Sequence, residues 1–203
     1  MLRLVMHTVN SRISFPYRHA RLTHRLAPLL ADVTTALDVG AGDGVLSSQL
    51  IEMTGCPISG IDVHLQPDPH IQIRQYDGHT FPYPENAFDG VLMVDMLHHT
   101  TDIGRMLSEA RRVARRFVII KDHYWDTRRD LAALRAADYV GNIPYGVALP
   151  YNYLRLDEWT EMFRLHGLRE IERATFKIHR LEPGKHIMVK LGVERTAAHL
   201  AGD

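Results

Sequence analysis

The stretch "TALDVGAGDGVLSSQL", residues 35–50, decides how this chain is read. Ala36, Leu37 and Val39 supply the apolar content of a buried strand, glycines follow at 40, 42 and 44, and a helical pattern begins at Val45. Strand, glycine turn and helix in that order bring backbone N–H groups and a helix N-terminus close to a ligand. The spacing is G-x-G-x-G, whereas a dinucleotide fingerprint puts its third glycine where Val45 stands. The turn by itself leaves open a dinucleotide, a nucleotide phosphate or another ligand.

Two acidic positions narrow the choice. Asp62 ends a second apolar run in "SGIDVH", twenty residues past Gly42, where a carboxylate accepts hydrogen bonds from ribose hydroxyls. Asp77 and Gly78 close a third run in "QYDGHTFPY" on the same rim, where a carboxylate can accept from an adenine amino group.

Around them the pattern predicts strands at Ala36–Val39, Ile58–Asp62, Ile71–Tyr76, Phe88–Val94, Arg116–Lys121, Leu168–Phe176 and His186–Leu191. The first, fourth and fifth are continuous Val/Ile/Leu runs, as inner strands of a parallel sheet covered on both faces require. Ile103, Met106, Leu107, Ala110 and Val113 repeat at helical spacing behind Asp102, a candidate N-cap, with Arg105, Glu109, Arg111 and Arg112 facing away. The basic run "RRVARR" at 111–116 is therefore read as a solvated helix end. A later helix spans "LDEWTEMFRLHG", with Asp157 as N-cap, Gly167 just past its end, and an apolar stripe of Leu156, Trp159, Met162 and Phe163. Only "KIHRLEPGK" joins the last two strands, so they form a hairpin rather than a crossover unit. The sum is an α/β chain: a doubly wound, mostly parallel sheet with one antiparallel strand at or near its edge.

Composition sets the outer bounds. The chain has 203 residues, a length that suits one α/β domain over 1–203, with 1–34 as an N-terminal lid or helix and 123–155 as an insertion. Lys+Arg and Asp+Glu balance at 24 each, which gives no bulk signal for nucleic acid or membrane. No run approaches the length of a membrane span, and Cys56 stands alone, so the reducing cytoplasm is the expected compartment.

"LDVGAGDG", "GIDV", "YDG" and "FDGVLMVDMLHHTTD", in that order, resemble the successive motifs of class I S-adenosylmethionine-dependent methyltransferases, small bacterial type-11-like domains among them. By motif the resemblance covers roughly residues 25–122. It implies a seven-stranded, three-layer Rossmann-like sheet of order 3-2-1-4-5-7-6 with strand 7 antiparallel, and S-adenosyl-L-methionine as cofactor. It also implies that Asp38, Gly40, Gly42 and Gly44 accompany the methionine end, that Asp62 with Val63 takes the ribose, that Asp77 with Gly78 takes the adenine, and that Asp95 and Met96 line the methyl donor. The chemistry agrees: the donor has no pyrophosphate, so glycines are needed for close approach to a carboxylate, an ammonium and a sulfonium. The family's frequent Leu-Lys-Pro-Gly-Gly turn before the fifth strand is absent, replaced by "VARRFVII".

Acceptor-side residues follow the fourth and fifth strands: Asp95, His98 and His99, then Lys121, Asp122, His123 and Tyr124. Neighbouring strands make these two clusters face one another. Methyl transfer is an in-line displacement governed by proximity, and a base helps when the nucleophile arrives protonated. His123 is the first candidate base, His99 the second, and Asp122 stands beside them. No metal is assigned, although a divalent ion held by Asp95, Asp122 and the histidines is the lesser alternative.

The segment between the fifth strand and the Asp157 helix suggests a helix through Leu131, Leu134, Ala137 and Tyr139, then loses regularity at Gly141, Pro144, Gly146 and Pro150. Its Tyr139, Tyr145, Tyr151 and Tyr153 suit an aromatic cap over a small organic acceptor, with Tyr17, Arg18 and His19 as the opposite wall. Tyr17, Tyr145, Tyr151 and Tyr153 are thus the candidate acceptor contacts. The leading expectation is O- or N-methylation of a small molecule by a monomer or homodimer. A cofactor-binding sensor or assembly protein of the same fold is the alternative, and a nicotinamide oxidoreductase fits less well because of Val45.

Overall fold

Each predicted strand forms, and burial explains the central ones. In the computed structural model, which describes residues 15–142, 149–179, 182 and 184–194, the strands are β1 (Ala36–Val39), β2 (Ile58–Asp62), β3 (Ile73–Gln75), β4 (Phe88–Val94), β5 (Ala114–Tyr124), β6 (Leu168–Phe176) and β7 (Lys185–Val193). They form one sheet of order β3-β2-β1-β4-β5-β7-β6. The first five pair in parallel, and β7 runs antiparallel to both β5 and β6. This is a doubly wound Rossmann-like sheet with the strand order of class I methyltransferases.

Among the described residues five α-helices cover it: α1 (Phe15–Leu26), α2 (Val45–Thr54), α3 (Ile103–Val113), α4 (Arg128–Asn142) and α5 (Leu156–Leu165). Side chains alternate across a strand, so each central strand feeds two cores. Leu37, Val39, Val118 and Ile120 join Ile103, Met106, Trp159 and Phe163 on one side. Ala36, Phe117 and Ile119 join Leu22, Leu26 and Leu50 on the other. Two buried faces account for the unbroken apolar runs of β1 and β4.

The differences from the sequence reading are local. β3 is shorter than Ile71–Tyr76, whereas β5 begins two residues earlier than Arg116 and continues to Tyr124, and β7 spans Lys185–Val193. α5 is capped by Arg155, not Asp157: Asp157 lies in the first turn, and Glu158 accepts from the Arg155 N–H at 2.6 Å. The basic run is a helix end only in its first half, where Arg111 and Arg112 occupy the last turn of α3. α3 stops at Val113, and β5 carries Arg115 and Arg116. Arg112 clamps Glu109 and the Phe81 and Tyr83 carbonyls, while Arg115 pairs with Asp89 at 2.8 Å. Tyr139 is exposed rather than part of the α4 stripe, where Leu134 is the buried member. Asp102 does cap α3, accepting from the Arg105 N–H at 2.8 Å.

Candidate active site

The carboxyl ends of β1, β4 and β5 open into one cavity of about 660 Å³. The glycine turn forms its floor. Gly40 has φ +75°, and a Cβ there would lie 2.8 Å from the Met96 Cβ, so only glycine lets these two segments meet. Gly44 has φ +78° and is packed equally tightly against Ile71, which makes it the hinge between turn and α2. Asp62 anchors the loop from the neighbouring strand: its Oδ2 accepts the Gly42 N–H at 2.8 Å and its Oδ1 the His64 N–H at 3.0 Å. Asp38 is buried and accepts from Ser47 Oγ at 2.6 Å. Burial pushes its carboxyl up to about 6, and the nearby Asp62 charge adds to the rise.

The far side of the cavity is built where β4 and β5 end together. Asp95 occupies left-handed backbone at φ +54°, a conformation that non-glycine residues hold only when their surroundings fix them. The surroundings are cationic. Arg18 from α1 lies 2.5 Å from Asp95 Oδ2, and fully buried Lys121 from β5 bonds the other oxygen. Burial alone would raise this carboxyl; the two cations overcome it and hold Asp95 well below the carboxylate range. Burial also pushes the Lys121 ammonium down to about 8, against the pull of Asp95.

Asp122, one residue on, has no exposed surface. Its oxygens accept from the Leu97, His98 and His123 N–H groups at 3.0, 3.3 and 2.6 Å. Its Oδ1 also lies 2.5 Å from His98 Nδ1. Burial opposes charge on the His98 ring, but the adjacent Asp122 carboxylate raises its pKa. Tyr153 stacks on that ring at 5.1 Å between centroids. His123 is different: burial lowers it to about 3, so its ring stays neutral, and Nδ1 lies 3.6 Å from both Asp95 and Asp122.

The structure thus gathers Asp38, Gly40, Gly42, Asp95, His99, His123 and Tyr153 around one space, with Arg18 and His19 on the α1 side. Asp122 stands behind the wall, against His98. Asp62, Val63, Asp77, Gly78, Gly44 and Met96 lie outside the cavity wall. Among these, Asp77 Oδ1 accepts the His79 and Thr80 N–H groups at 2.8 and 2.7 Å, which lowers its pKa. Tyr151 sits beside Tyr153, ring centroids 6.5 Å apart, without lining the cavity. The Tyr17 side chain and Tyr145 lie outside the described residues.

Several wall residues were not singled out from the sequence, Asp138, His179 and Glu182 among them. Asp138 stands one turn after Leu134 on α4, and that i,i+4 spacing was the signal available for it. His179 and Glu182 come from the connection between β6 and β7, where no periodicity marks a function.

The sheet order, the glycine turn at the β1 end and the cavity above β4 are those of the class I S-adenosylmethionine-dependent methyltransferase fold. Residues 37–119 match the family described as Methyltransferase domain. A demethylmenaquinone methyltransferase from Tropheryma whipplei is 31% identical over 86 residues, covering 38% of this chain and 36% of that protein. The chain thus spans about a third of the length of the curated relatives it matches.

Solved structures extend the likeness over the whole fold. A chain of the Haloferax volcanii complex with the Trm112 methyltransferase activator superposes with TM-score 0.69 at 14% identity, covering 94% of each chain. The Burkholderia thailandensis 1,6-didemethyltoxoflavin-N1-methyltransferase, bound to its acceptor and S-adenosylhomocysteine, gives TM-score 0.67 at 16% identity, covering 95% of this chain and 88% of that one. Among the described residues, no helix is long and apolar enough to cross a membrane.

Proposed function

We propose that this protein transfers the methyl group of S-adenosylmethionine to a small organic acceptor, an oxygen or nitrogen nucleophile, held in the cavity above β4 and β5. The observation that carries the reading is the continuity of that cavity. It runs from Asp38, Gly40 and Gly42 to His98, His99, His123 and Tyr153 without an intervening wall, and its volume of about 660 Å³ is ordinary for small-molecule sites.

In this reading the glycine turn takes the methionine end, with Asp38 facing its ammonium. Gly44 holds the turn open, Asp62 and Val63 take the ribose, and Asp77 and Gly78 take the adenine. Asp95 and Met96 border the sulfonium, the more so because Met96 packs directly on Gly40. Tyr153 supplies an aromatic wall for the acceptor, with Tyr151 behind it; Tyr17 and Tyr145 are proposed to complete that wall. Rate enhancement comes mainly from holding nucleophile and methyl group in line. An acceptor that arrives protonated loses its proton at the face formed by His98 and His99, with Asp122 fixing the orientation of His98. His123, neutral and buried, serves as a wall of that face rather than as its strongest base.

Calorimetric titration with S-adenosylmethionine, S-adenosylhomocysteine and NAD tests the assignment. Binding of the two adenosyl ligands alone is the expected result. Binding of NAD in their place would overturn it.

A further inference from the structure

Two imidazoles and a carboxylate converge on the acceptor-side wall. His98 Nε2 lies 3.9 Å and His99 Nε2 3.8 Å from Asp138 Oδ1, and one donor atom from each residue falls within 4.8 Å of the others. These separations exceed hydrogen-bond length. They approach the roughly 3.4 Å between neighbouring donors around a tetrahedral ion bonded at about 2.1 Å. A contraction of a few tenths of an ångström would bring both imidazole nitrogens to that distance from Asp138, and Asp138 sits on a helix that packs over the cavity rather than in the sheet.

An independent feature points the same way. The second nitrogen of His98, Nδ1, is 2.5 Å from the fully buried Asp122 carboxylate. A carboxylate behind a ligating histidine fixes the proton on the far nitrogen and turns the lone pair of the near one toward the metal. Here Asp122 does this for Nε2, the atom that faces Asp138. All three candidate ligands also line the cavity, so the remaining coordination positions of an ion would open into it.

The alternative groupings of ligand-type side chains are less suited. Asp95, His123 and His186 come together, but both Asp95 oxygens are engaged by the Arg18 and Lys121 cations, which would repel a dication. His98, Asp122 and His123 also converge, but the Asp122 oxygens are filled by three backbone N–H groups behind the wall.

We infer that His98, His99 and Asp138 form a three-ligand site for a divalent transition-metal ion of the zinc class. Two imidazoles with a single carboxylate favour such borderline ions over calcium or magnesium, which take oxygen ligands. Its open positions face the space assigned above to the acceptor. If that assignment holds, the ion would bind the acceptor's oxygen or nitrogen and acidify its proton, which would then pass to solvent because His98 and His99, as ligands, would no longer accept it; the site itself stands without it.

The test uses tag-free full-length protein, stripped with a chelator and dialysed. Cobalt(II) is added while visible absorption is followed, and zinc(II) is titrated by calorimetry. The expected result is one tight equivalent with the visible bands of four- or five-coordinate cobalt. Asp138→Asn and His99→Ala should each abolish that equivalent, and Asp122→Asn should weaken it by roughly ten- to a hundredfold. S-adenosylmethionine titration of the same variants reports whether each is folded. Cobalt binding unchanged in Asp138→Asn and His99→Ala, or absent from the parent protein, overturns the site. If the parent protein still binds S-adenosylmethionine, the methyl-donor reading survives that failure.

Discussion

At the scale of single residues, Asp62 and Asp38 make opposite kinds of contribution. Asp62 spends its two oxygens on the Gly42 and His64 N–H groups, so its removal should disorder the turn as well as delete a ribose contact. Asp62→Ala is expected to weaken S-adenosylmethionine binding at least tenfold, about 1.4 kcal/mol, by calorimetry; unchanged affinity would refute its place in the donor site. Asp38 is costly to ionise. Burial raises its carboxyl from 3.8 to about 6, so between those values the folded chain keeps a proton that the unfolded chain releases. Its contribution to stability therefore declines as pH rises through that window, by about 3 kcal/mol at most, and stays low above it. Donor binding should run the other way, because an ammonium favours the carboxylate. Affinity for S-adenosylmethionine is expected to rise between about pH 5 and pH 7, and Asp38→Asn should flatten that rise. Gly40 carries a third prediction. With φ +75° and Met96 2.8 Å from the missing Cβ, Gly40→Ala should cost roughly 1–3 kcal/mol of stability in urea unfolding.

Between elements, the junction of β4 and β5 matters most. Asp122 on β5 holds the backbone of the Leu97–His99 turn that follows β4, and Asp95 after β4 holds Lys121 on β5. The exchange is reciprocal and buried. Replacing Asp122 by alanine would strand the Leu97, His98 and His123 N–H groups, and the expected loss is about 3–5 kcal/mol in denaturant unfolding. A loss below about 1 kcal/mol would show that water or a shifted turn satisfies them. The tie between α4 and the sheet is weaker by the same physics. Lys185 bonds Asp126 and Asp130 at 2.9 and 2.8 Å, but these groups are partly exposed to solvent. Lys185→Ala should therefore change stability by no more than about 1 kcal/mol.

For the whole molecule, the proposed donor site draws on separate strands, so a bound donor should hold the fold together. A ligand that binds only the folded chain stabilises it by mass action, about 2.7 kcal/mol at a hundred times its dissociation constant. S-adenosylhomocysteine should accordingly raise the unfolding temperature by several degrees, and NAD at the same concentration should leave it unchanged. A shift with NAD alone would return the glycine turn to the dinucleotide reading that Val45 argues against.

Class and architecture were legible in the chain itself. Apolar runs such as "ALDV" and "FDGVLMV" are written into strands because both faces of a central strand are buried, and the hairpin follows from the short link between β6 and β7. The facing of Asp95 toward Lys121, and of His98 toward Asp122, was also readable, since the two strands had to be neighbours. Where the sequence reading slipped, a local signal was overruled by partners distant in the chain. Arg112 and Arg115 looked solvent-bound until Phe81, Tyr83 and Asp89 were brought against them, and Asp157 lost the α5 cap to Arg155 and Glu158. The site's finer order belonged wholly to the tertiary structure. Periodicity shows which face a residue occupies, but it does not show that Asp122 is sealed behind His98, that His123 is too dry to hold a proton, or that Asp138 reaches the same wall from another helix. Those are consequences of burial and of distances across the fold, which chain spacing does not encode.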